Sequence, residues 1–132
     1  MQLSPDTSWL GAFAENIGFS VTDATPDRVV LEWDVTPALH QPYGIVHGGV
    51  YCTAIETAAS IAAAVWFGDR GQVVGVNNNT DFLRAVTDGH LVATATPLHR
   101  GRSQQLWQVA IIDEQDRVVA HGQVRLQNLT KS

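Results

Sequence analysis

Cysteine and positive charge are both scarce in this 132-residue sequence. Cys52 is the only cysteine, which excludes an intramolecular disulfide and a metal site built from several cysteines. Thirteen acidic residues against eight basic ones give a formal net charge of -5, so no dominant positive field is available to bind nucleic acid or an anionic membrane. We therefore expect no nucleic-acid partner, no membrane partner and a reducing, cytoplasmic location.

The N-terminus also lacks the pattern of a signal peptide. Residues 1–6 contain no basic segment followed by an apolar run. No internal repeat, low-complexity tract or interdomain linker is visible. With 45% hydrophobic and 16% charged residues, the composition predicts a single domain over residues 1–132. So low a charged fraction also indicates surface that is buried against partner chains, and we expect an oligomer.

One long apolar, alanine-rich stretch occupies residues 50–67. It follows a loop over residues 36–49 that is marked by prolines and glycines. Its length approaches that of a short membrane span, but it carries Thr53, Glu56, Thr57 and Ser60. We therefore predict a helix that ends at Gly68 and is enclosed by other elements of a soluble fold.

The rest of the chain has mainly the patterns of strands. Residues 28–35 alternate with the period of a half-buried strand, and residues 19–23 are predicted to be its hairpin partner. Further strands are predicted over residues 72–84, 89–99, 104–113 and 118–128. One buried helix followed by antiparallel strands predicts an α+β fold in which the sheet wraps around the helix.

Three local features refine this prediction. A short N-terminal helix is expected to start at residues 4–6 and to end near Gly18. In the last strand, Val118 and Ala120 are predicted to lie on one face, and Val119 and His121 on the other. The three asparagines at 77–79 are unusual in a strand and indicate a bulge or a polar face.

Glu56 is the only Asp, Glu, Lys or Arg between Asp34 and Asp69, and it lies in the middle of the apolar helix. A carboxylate in apolar surroundings needs partners, and such placement is characteristic of catalytic acids and bases. A structural role, as a cap or as an ion-pair partner at a dimer interface, is the alternative. Ser60, one turn along the same face, is placed to orient the carboxylate or a water molecule, unless it is only a small packing residue.

The tripeptide His47-Gly48-Gly49 stands directly before the helix. Amide N–H groups at a helix start suit a developing oxyanion, although the glycines could simply permit a turn that His47 caps. Gly48 and Glu56 are eight residues apart, which is about 12 Å along a helix. One chain therefore cannot place both on one carbonyl. If both act, Glu56 comes from a second subunit, and the site lies at a dimer interface.

These motifs resemble the hotdog-fold thioesterases of the 4-hydroxybenzoyl-CoA and phenylacetyl-CoA-pathway type. The matching segments are QPYGIVHGG at 41–49, Glu56, Ser60, NTDFLR at 79–84, the 101–103 turn and the 113–120 hairpin, so the resemblance covers residues 10–128. It implies a hotdog fold, dimers whose sheets join edge to edge, and a homotetramer built from two dimers. It also implies hydrolysis of an acyl-CoA or aryl-CoA thioester without metal or cofactor, because coenzyme A is part of the substrate.

The resemblance assigns roles to individual residues. The Gly48 N–H polarises the thioester carbonyl, and Gln41 and His47 position the substrate or the attacking water. Glu56 of the partner chain is the nucleophile or the general base, and Ser60 supports it. Substrate contacts are expected from Gly49, Asn79 and Phe82, although some relatives have histidine at the position of Phe82.

The two ends of an acyl-CoA require different side chains. Cations are needed for the phosphates, and the candidates are Arg84, Arg100 and Arg102 with the Ser103 hydroxyl, unless these are ordinary solvated turn residues. An apolar lining is needed for the acyl group, and the candidates are Val50, Trp66, Phe67 and Phe82, unless these only fill the core.

Two other functions remain open from the residues alone. One is an enoyl-CoA hydratase or dehydratase on a similar fold, with His47 and Glu56 as acid and base. The other is a non-catalytic acyl-CoA-binding protein. The sequence identifies neither the acyl group nor the pathway.

Overall fold

An antiparallel sheet curls around one long helix in the structure, a computed structural model that describes residues 8–131. Short 3-10 helices lie at Ser8–Leu10, Pro37–Leu39 and Gly68–Arg70. The other elements are α1 (Ala12–Ile17), β1 (Ser20–Thr25), β2 (Arg28–Asp34), α2 (Gly48–Phe67), β3 (Gly71–Phe82), β4 (His90–Arg100), β5 (Gln104–Ile112) and β6 (Val118–Thr130). The strand order is β1-β2-β4-β5-β6-β3, so β1 and β3 form the edges. The α+β prediction is confirmed.

The helix α2 is the centre of the hydrophobic core, and it contacts all six strands. Ala54, Ala58 and Ala62 are fully buried, and their small side chains let the sheet approach the helix backbone closely. Trp33 of β2 and Trp107 of β5 are the large buried side chains that the sheet contributes to this core. Residues 48–70 are long and apolar enough to span a membrane by length and composition, but most of this segment is enclosed in the core.

The predicted strands agree with the structure to within two residues at each end. The prediction of which face of the last strand carries Val118 and which carries Val119 was wrong. Val118 is 43% exposed, whereas Val119 is completely buried. The register between β5 and β6 shifts here, because Ile111 pairs with Ala120 and Ile112 with Val118. This bulge interrupts the alternation of faces, and a strict period of two cannot predict it.

The N-terminal helix is shorter than predicted. The helix α1 begins at Ala12, after Gly11, whose φ of 90° separates it from the 3-10 turn at Ser8–Leu10. Its predicted end is confirmed, since Gly18 caps it in the left-handed conformation. The predicted start at residues 4–6 lies outside the described residues.

A buried pair of amides fixes the turn at 101–103 to the carboxyl-terminal half of α2. Gln105 Nε2 donates to Asn128 Oδ1 at 2.8 Å and to the Ala63 carbonyl at 3.3 Å. Asn128 Nδ2 donates in turn to the carbonyls of Gly101 at 3.0 Å and Arg102 at 3.1 Å. Because buried amides need such partners, the network determines where this turn lies relative to the helix.

His90 joins β2 and β4 on the outer face of the sheet. Its Nδ1 lies 2.9 Å from Asp34 Oδ1, and its Nε2 lies 2.8 Å from Glu32 Oε1. The hydrogen bonds to Asp34 and then Glu32 raise the pKa of His90. The hydrogen bond from His90 in turn lowers the pKa of Glu32. The charged triad therefore stabilises the pairing of the two strands.

We expect this triad to give the free energy of unfolding a defined pH dependence. The His90 contribution is fully present below its ordinary pKa of 6.5 and is lost as pH rises through the raised value in the folded protein. The Glu32 contribution is present above its ordinary pKa of 4.5 and is lost as pH falls through the lowered value. The stability difference between wild type and His90→Gln, measured by denaturant unfolding, should therefore be largest from pH 4.5 to 6.5 and decrease above it. A difference that grows above that range would contradict this assignment.

Candidate functional site

The carboxylate of Glu56 extends from α2 toward the edge strand β3. Its Oε1 accepts a hydrogen bond from Asn78 Nδ2 at 3.1 Å, and the same nitrogen lies 3.1 Å from the Cys52 carbonyl. Thr80 Oγ1 donates to Asn78 Oδ1 at 2.7 Å, which turns the amide nitrogen toward the carboxylate. Glu56 Oε2 has no hydrogen-bond donor among residues 8–131. Asn78 thus holds Oε1 in place, and Oε2 remains available to interact with a ligand.

A bulge in β3 makes this arrangement possible. In an unbroken strand, residues 75 and 78 would point to opposite faces. The register against β6 shifts between Gly75 and Asn77, so both Gly75 and Asn78 face the helix. A side chain at Gly75 would overlap Glu56 Oε2, which means that the absence of a Cβ creates the space for the carboxylate. The sequence predicted a bulge or a polar face at the three asparagines, and the bulge lies directly before them, between Gly75 and Asn77.

Sequence reasoning did not assign Asn78 or Gly75 to the site. The asparagine triplet was the available signal, but the substrate contact was predicted at Asn79. Since Asn78 faces the helix, Asn79 lies on the other side of β3, where it lines a cavity with Asp81 and His121. A single chain therefore does not bring Asn79 to Glu56. Ser60 lies one turn beyond Glu56, and its hydroxyl makes no hydrogen bond within the part of the chain that is described.

The start of α2 presents an unused backbone donor. His47 caps the helix, because its Nδ1 accepts a hydrogen bond from the Gly49 N–H at 2.8 Å. The neutral ring then carries its proton on Nε2, which can still donate outward. The Gly48 N–H, at the positive end of the helix dipole, has no acceptor within residues 8–131. The structure thus confirms the capping role of His47 and leaves two donors available nearby.

A cavity of about 320 Å³ opens beside Gly48. The ring of Phe82 covers the Gly48 Cα so closely that a Cβ there would lie 2.7 Å from a ring atom. Gln41 Oε1 accepts a hydrogen bond from the Tyr43 N–H. Burial raises the pKa of Tyr51 to about 12, so its phenol stays neutral. The lining residues are Gln41, Ile45, Val46, Gly48, Tyr51, Phe82, Leu83, Arg84 and Ala85.

This cavity brings together four of the residues predicted from the sequence: Gln41, Gly48, Phe82 and Arg84. No carboxylate within the described range pairs with the Arg84 guanidinium, although Arg28, Arg100 and Arg117 each have an acidic partner. Arg84 is therefore a cation that an anionic ligand can reach.

The other predicted phosphate ligands lie at the opposite end of α2, which is about 30 Å long. Arg100 Nη1 is 2.7 Å from Asp27 Oδ1 and also donates to the Pro26 carbonyl. Arg102 and Ser103 are exposed in the turn after β4. One chain thus does not bring these three residues to Gly48.

The predicted acyl-binding residues are also divided between the two ends of α2. Trp66 and Phe67 lie at its carboxyl end, against the Arg70 guanidinium. Val50 and Phe82 lie near its amino end and line different cavities. These four residues do not form one pocket within a single chain.

Comparison with known proteins identifies the class. Residues 43–120, more than half of the chain, match the family model described as the thioesterase superfamily. The chain belongs to the thioesterase superfamily, and its sheet wrapped around α2 is the hotdog fold of that family. Thioester hydrolysis is the chemistry that this membership supports.

Individual relatives agree with this class. A Mycobacterium tuberculosis protein named as an esterase, Rv1847, is 53% identical over 136 residues, covering 98% of this chain and 97% of the relative. Its structure matches with a TM-score of 0.89 at 55% identity, over 91% of this chain and 98% of that one. AziG of S. sahachiroi gives a TM-score of 0.91 at 51% identity, over 92% and 99%. The 1,4-dihydroxy-2-naphthoyl-CoA hydrolase of Listeria monocytogenes is 35% identical over 105 residues, covering 80% of this chain and 85% of the hydrolase.

Replacing Gly75 with alanine should displace the Glu56 carboxylate without unfolding the protein. The new Cβ meets only the end of a flexible side chain, so the carboxylate moves and the strand stays in place. We expect kcat for thioester hydrolysis to fall about 10- to 100-fold, since small displacements of reacting groups have effects of that order. The melting temperature should remain close to that of wild type. Leu98→Ala, at an exposed position of β4, is the control, and equal activity of both variants would contradict the assignment.

Proposed function

We propose that this protein is an acyl-CoA or aryl-CoA thioesterase whose site combines the Gly48 N–H of one subunit with Glu56 of another. The supporting observation is the position of the two groups on α2. Gly48 opens onto the cavity that contains Arg84, whereas Glu56 turns toward β3 and is not part of its lining. A two-fold axis that sets two α2 helices antiparallel would bring each Glu56 toward the Gly48 of the other copy.

The edge strand β3 is the surface proposed for this dimer. It spans Gly71–Phe82, and within residues 8–131 its only neighbour in the sheet is β6. Val74, Val76 and Phe82 are 45%, 54% and 57% exposed on it. A long edge with exposed apolar side chains favours pairing with another chain. Since Glu56 lies against β3, such a dimer would place the carboxylate at the interface. The homotetramer predicted from the sequence would be two of these dimers.

In the proposed reaction, the Gly48 N–H donates to the carbonyl oxygen as negative charge develops there. Glu56 either attacks the carbonyl carbon, giving a mixed anhydride that water then hydrolyses to the free acid, or takes a proton from the water that attacks the carbonyl carbon and later returns it to solvent. In both cases the C–S bond breaks and coenzyme A leaves as a thiolate. Asn78 holds the carboxylate in place. His47 and Gln41 have N–H groups available to orient water or the thioester. A thiolate leaves readily, so we propose that no metal or cofactor takes part.

Arg84 is the leading candidate for contact with the phosphates of coenzyme A, because it lines the cavity at Gly48 and has no acidic partner within residues 8–131. Arg100 is engaged by Asp27. Arg102 and Ser103 would reach the nucleotide only from another subunit. The name of the Listeria relative, a naphthoyl-CoA hydrolase, supports testing aryl as well as alkyl thioesters. A cytoplasmic location remains part of this proposal.

Glu56→Gln should abolish thiol release while leaving binding of coenzyme A nearly unchanged. Loss of a general base or nucleophile corresponds to roughly a 10²- to 10⁴-fold decrease in kcat. Hydrolysis is followed with a free-sulfhydryl reagent, and binding is followed by calorimetry with a non-hydrolysable S-alkyl-CoA thioether. Unchanged turnover would refute the role of Glu56. Hydration of an enoyl-CoA without thiol release would instead indicate a hydratase, and tight binding without turnover in wild type would indicate a binding protein.

Mixed dimers test whether Glu56 acts across the interface. Gly48→Pro removes the donor at the first helical position, where proline is tolerated, and Gly48→Ala adds a Cβ but keeps the N–H as the matched control. A purified heterodimer of a Glu56→Gln chain and a Gly48→Pro chain has one complete site only if each site draws on both chains. We expect it to recover about half of the wild-type activity per dimer, although both homodimers are inactive. An inactive heterodimer would show that both groups act within one chain.

A further inference from the structure

A second cavity, of about 390 Å³, lies beside the start of α2. It shares no lining residue with the cavity at Arg84, yet the two cavities meet the helix at adjacent residues, because Gly48 lines one and both His47 and Gly49 line the other. Its volume falls within the range of about 300–1,000 Å³ that is typical of small-molecule sites. Its lining residues are Phe13, Ile17, Ala38, Leu39, His40, His47, Gly49, Val50 and Thr53.

The walls of this second cavity are apolar and carry no Asp, Glu, Lys or Arg. Phe13 and Ile17 come from α1, Leu39 from the 3-10 helix, and Val50 from α2. Phe13 is 71% exposed, which leaves a large aromatic side chain uncovered at the edge of the cavity. An apolar surface of this kind favours an apolar ligand.

The polar groups around this cavity are largely occupied by other parts of the protein. His40 Nε2 bonds the Thr87 carbonyl at 2.8 Å, and Thr53 Oγ1 donates to the Gly49 carbonyl at 2.7 Å. The Nδ1 of His47 is taken by the Gly49 N–H. Among residues 8–131, two ring nitrogens of the lining keep a free position: His47 Nε2, close to Gly48, and His40 Nδ1, which can accept but not donate when Nε2 carries the proton. A charged ligand group deep in this cavity would therefore be desolvated without a partner, which is strongly unfavourable.

We propose that this cavity binds the acyl group of the substrate, while the coenzyme A arm leaves on the side of Gln41 and Arg84; the inference rests on the thioesterase function proposed above. A thioester held at the Gly48 N–H has two arms that diverge from its carbonyl carbon. The anionic arm requires a cation, and Arg84 lines only the first cavity. The uncharged cavity is left for the other arm. The substrate class is then a thioester with an uncharged alkyl or aryl acyl group, and acyl groups with a second carboxylate are excluded.

Two surface substitutions test the acyl cavity without affecting the core. Phe13→Ala removes the exposed aromatic wall, and Ala38→Phe, also at an exposed position, fills the cavity. The ligands are S-methyl-, S-butyl-, S-hexyl- and S-decyl-CoA thioethers, with S-carboxyalkyl-CoA of matched length, and binding is measured by calorimetry. Leu98→Ala, which removes an exposed apolar side chain from β4, is the control.

Wild type and Leu98→Ala should bind the S-alkyl-CoA thioethers about fourfold more tightly for each additional methylene of the alkyl chain that becomes buried, until the cavity is full. Both cavity variants should lose most of this gain and still bind S-methyl-CoA like wild type. S-carboxyalkyl-CoA should bind more weakly to wild type than the alkyl ligand of the same length. In a thiol-release assay, the same variants should lower kcat/KM for decanoyl-CoA and benzoyl-CoA but leave acetyl-CoA unaffected.

The proposal is overturned if both cavity variants keep the wild-type gain with chain length. It is also overturned if they weaken every ligand equally, since that would indicate an effect on the coenzyme A arm. Because thioethers cannot be hydrolysed, this binding result is independent of catalysis. Failure of the Glu56→Gln experiment would thus refute the catalytic role of Glu56, whereas the assignment of the acyl cavity would still be decided by these binding data.

Discussion

The fixed geometry of α2 is the constraint on which the rest of this protein depends. Gly48 begins the helix, and Glu56 follows just over two turns later, at a distance that no side chain movement removes. Burial of the alanine-rich helix against all six strands holds both positions rigidly. Chemistry that needs both groups on one carbonyl must therefore take them from two copies of the chain. The proposed dimer rests on this geometry.

A carboxylate on so apolar a helix is tolerated because β3 is shaped around it. The bulge after Gly75 turns Asn78 inward, and the missing Cβ of Gly75 leaves room for Oε2. One oxygen is bonded by Asn78 and the other is left without a donor within residues 8–131. A group that is oriented on one side and available on the other suits a base or nucleophile better than a purely structural ion pair.

The start of α2 also separates two different environments. The cavity on the Gly48 side carries Arg84, whose guanidinium has no acidic partner in the described part of the chain. The cavity on the His47 and Gly49 side has largely apolar walls, no Asp, Glu, Lys or Arg, and polar groups that are for the most part bonded to the protein. In the proposed complex, this contrast in charge gives the two arms of an asymmetric thioester separate directions.

The sequence by itself determined the helix, the strands and the isolation of Glu56, because periodicity and composition are properties of neighbouring residues along the chain. Only the tertiary structure decided which residues meet that carboxylate. Asn78 and Gly75 reach it through a bulge: the asparagine triplet marked this segment, but the sequence did not show which asparagine faces the helix. The tertiary structure likewise placed Phe13 beside the start of the helix. For the same reason the sequence could not distinguish Arg84 from Arg100 as phosphate ligands. Both are arginines near turns, but Arg100 pairs with Asp27 through a contact between distant segments of the chain.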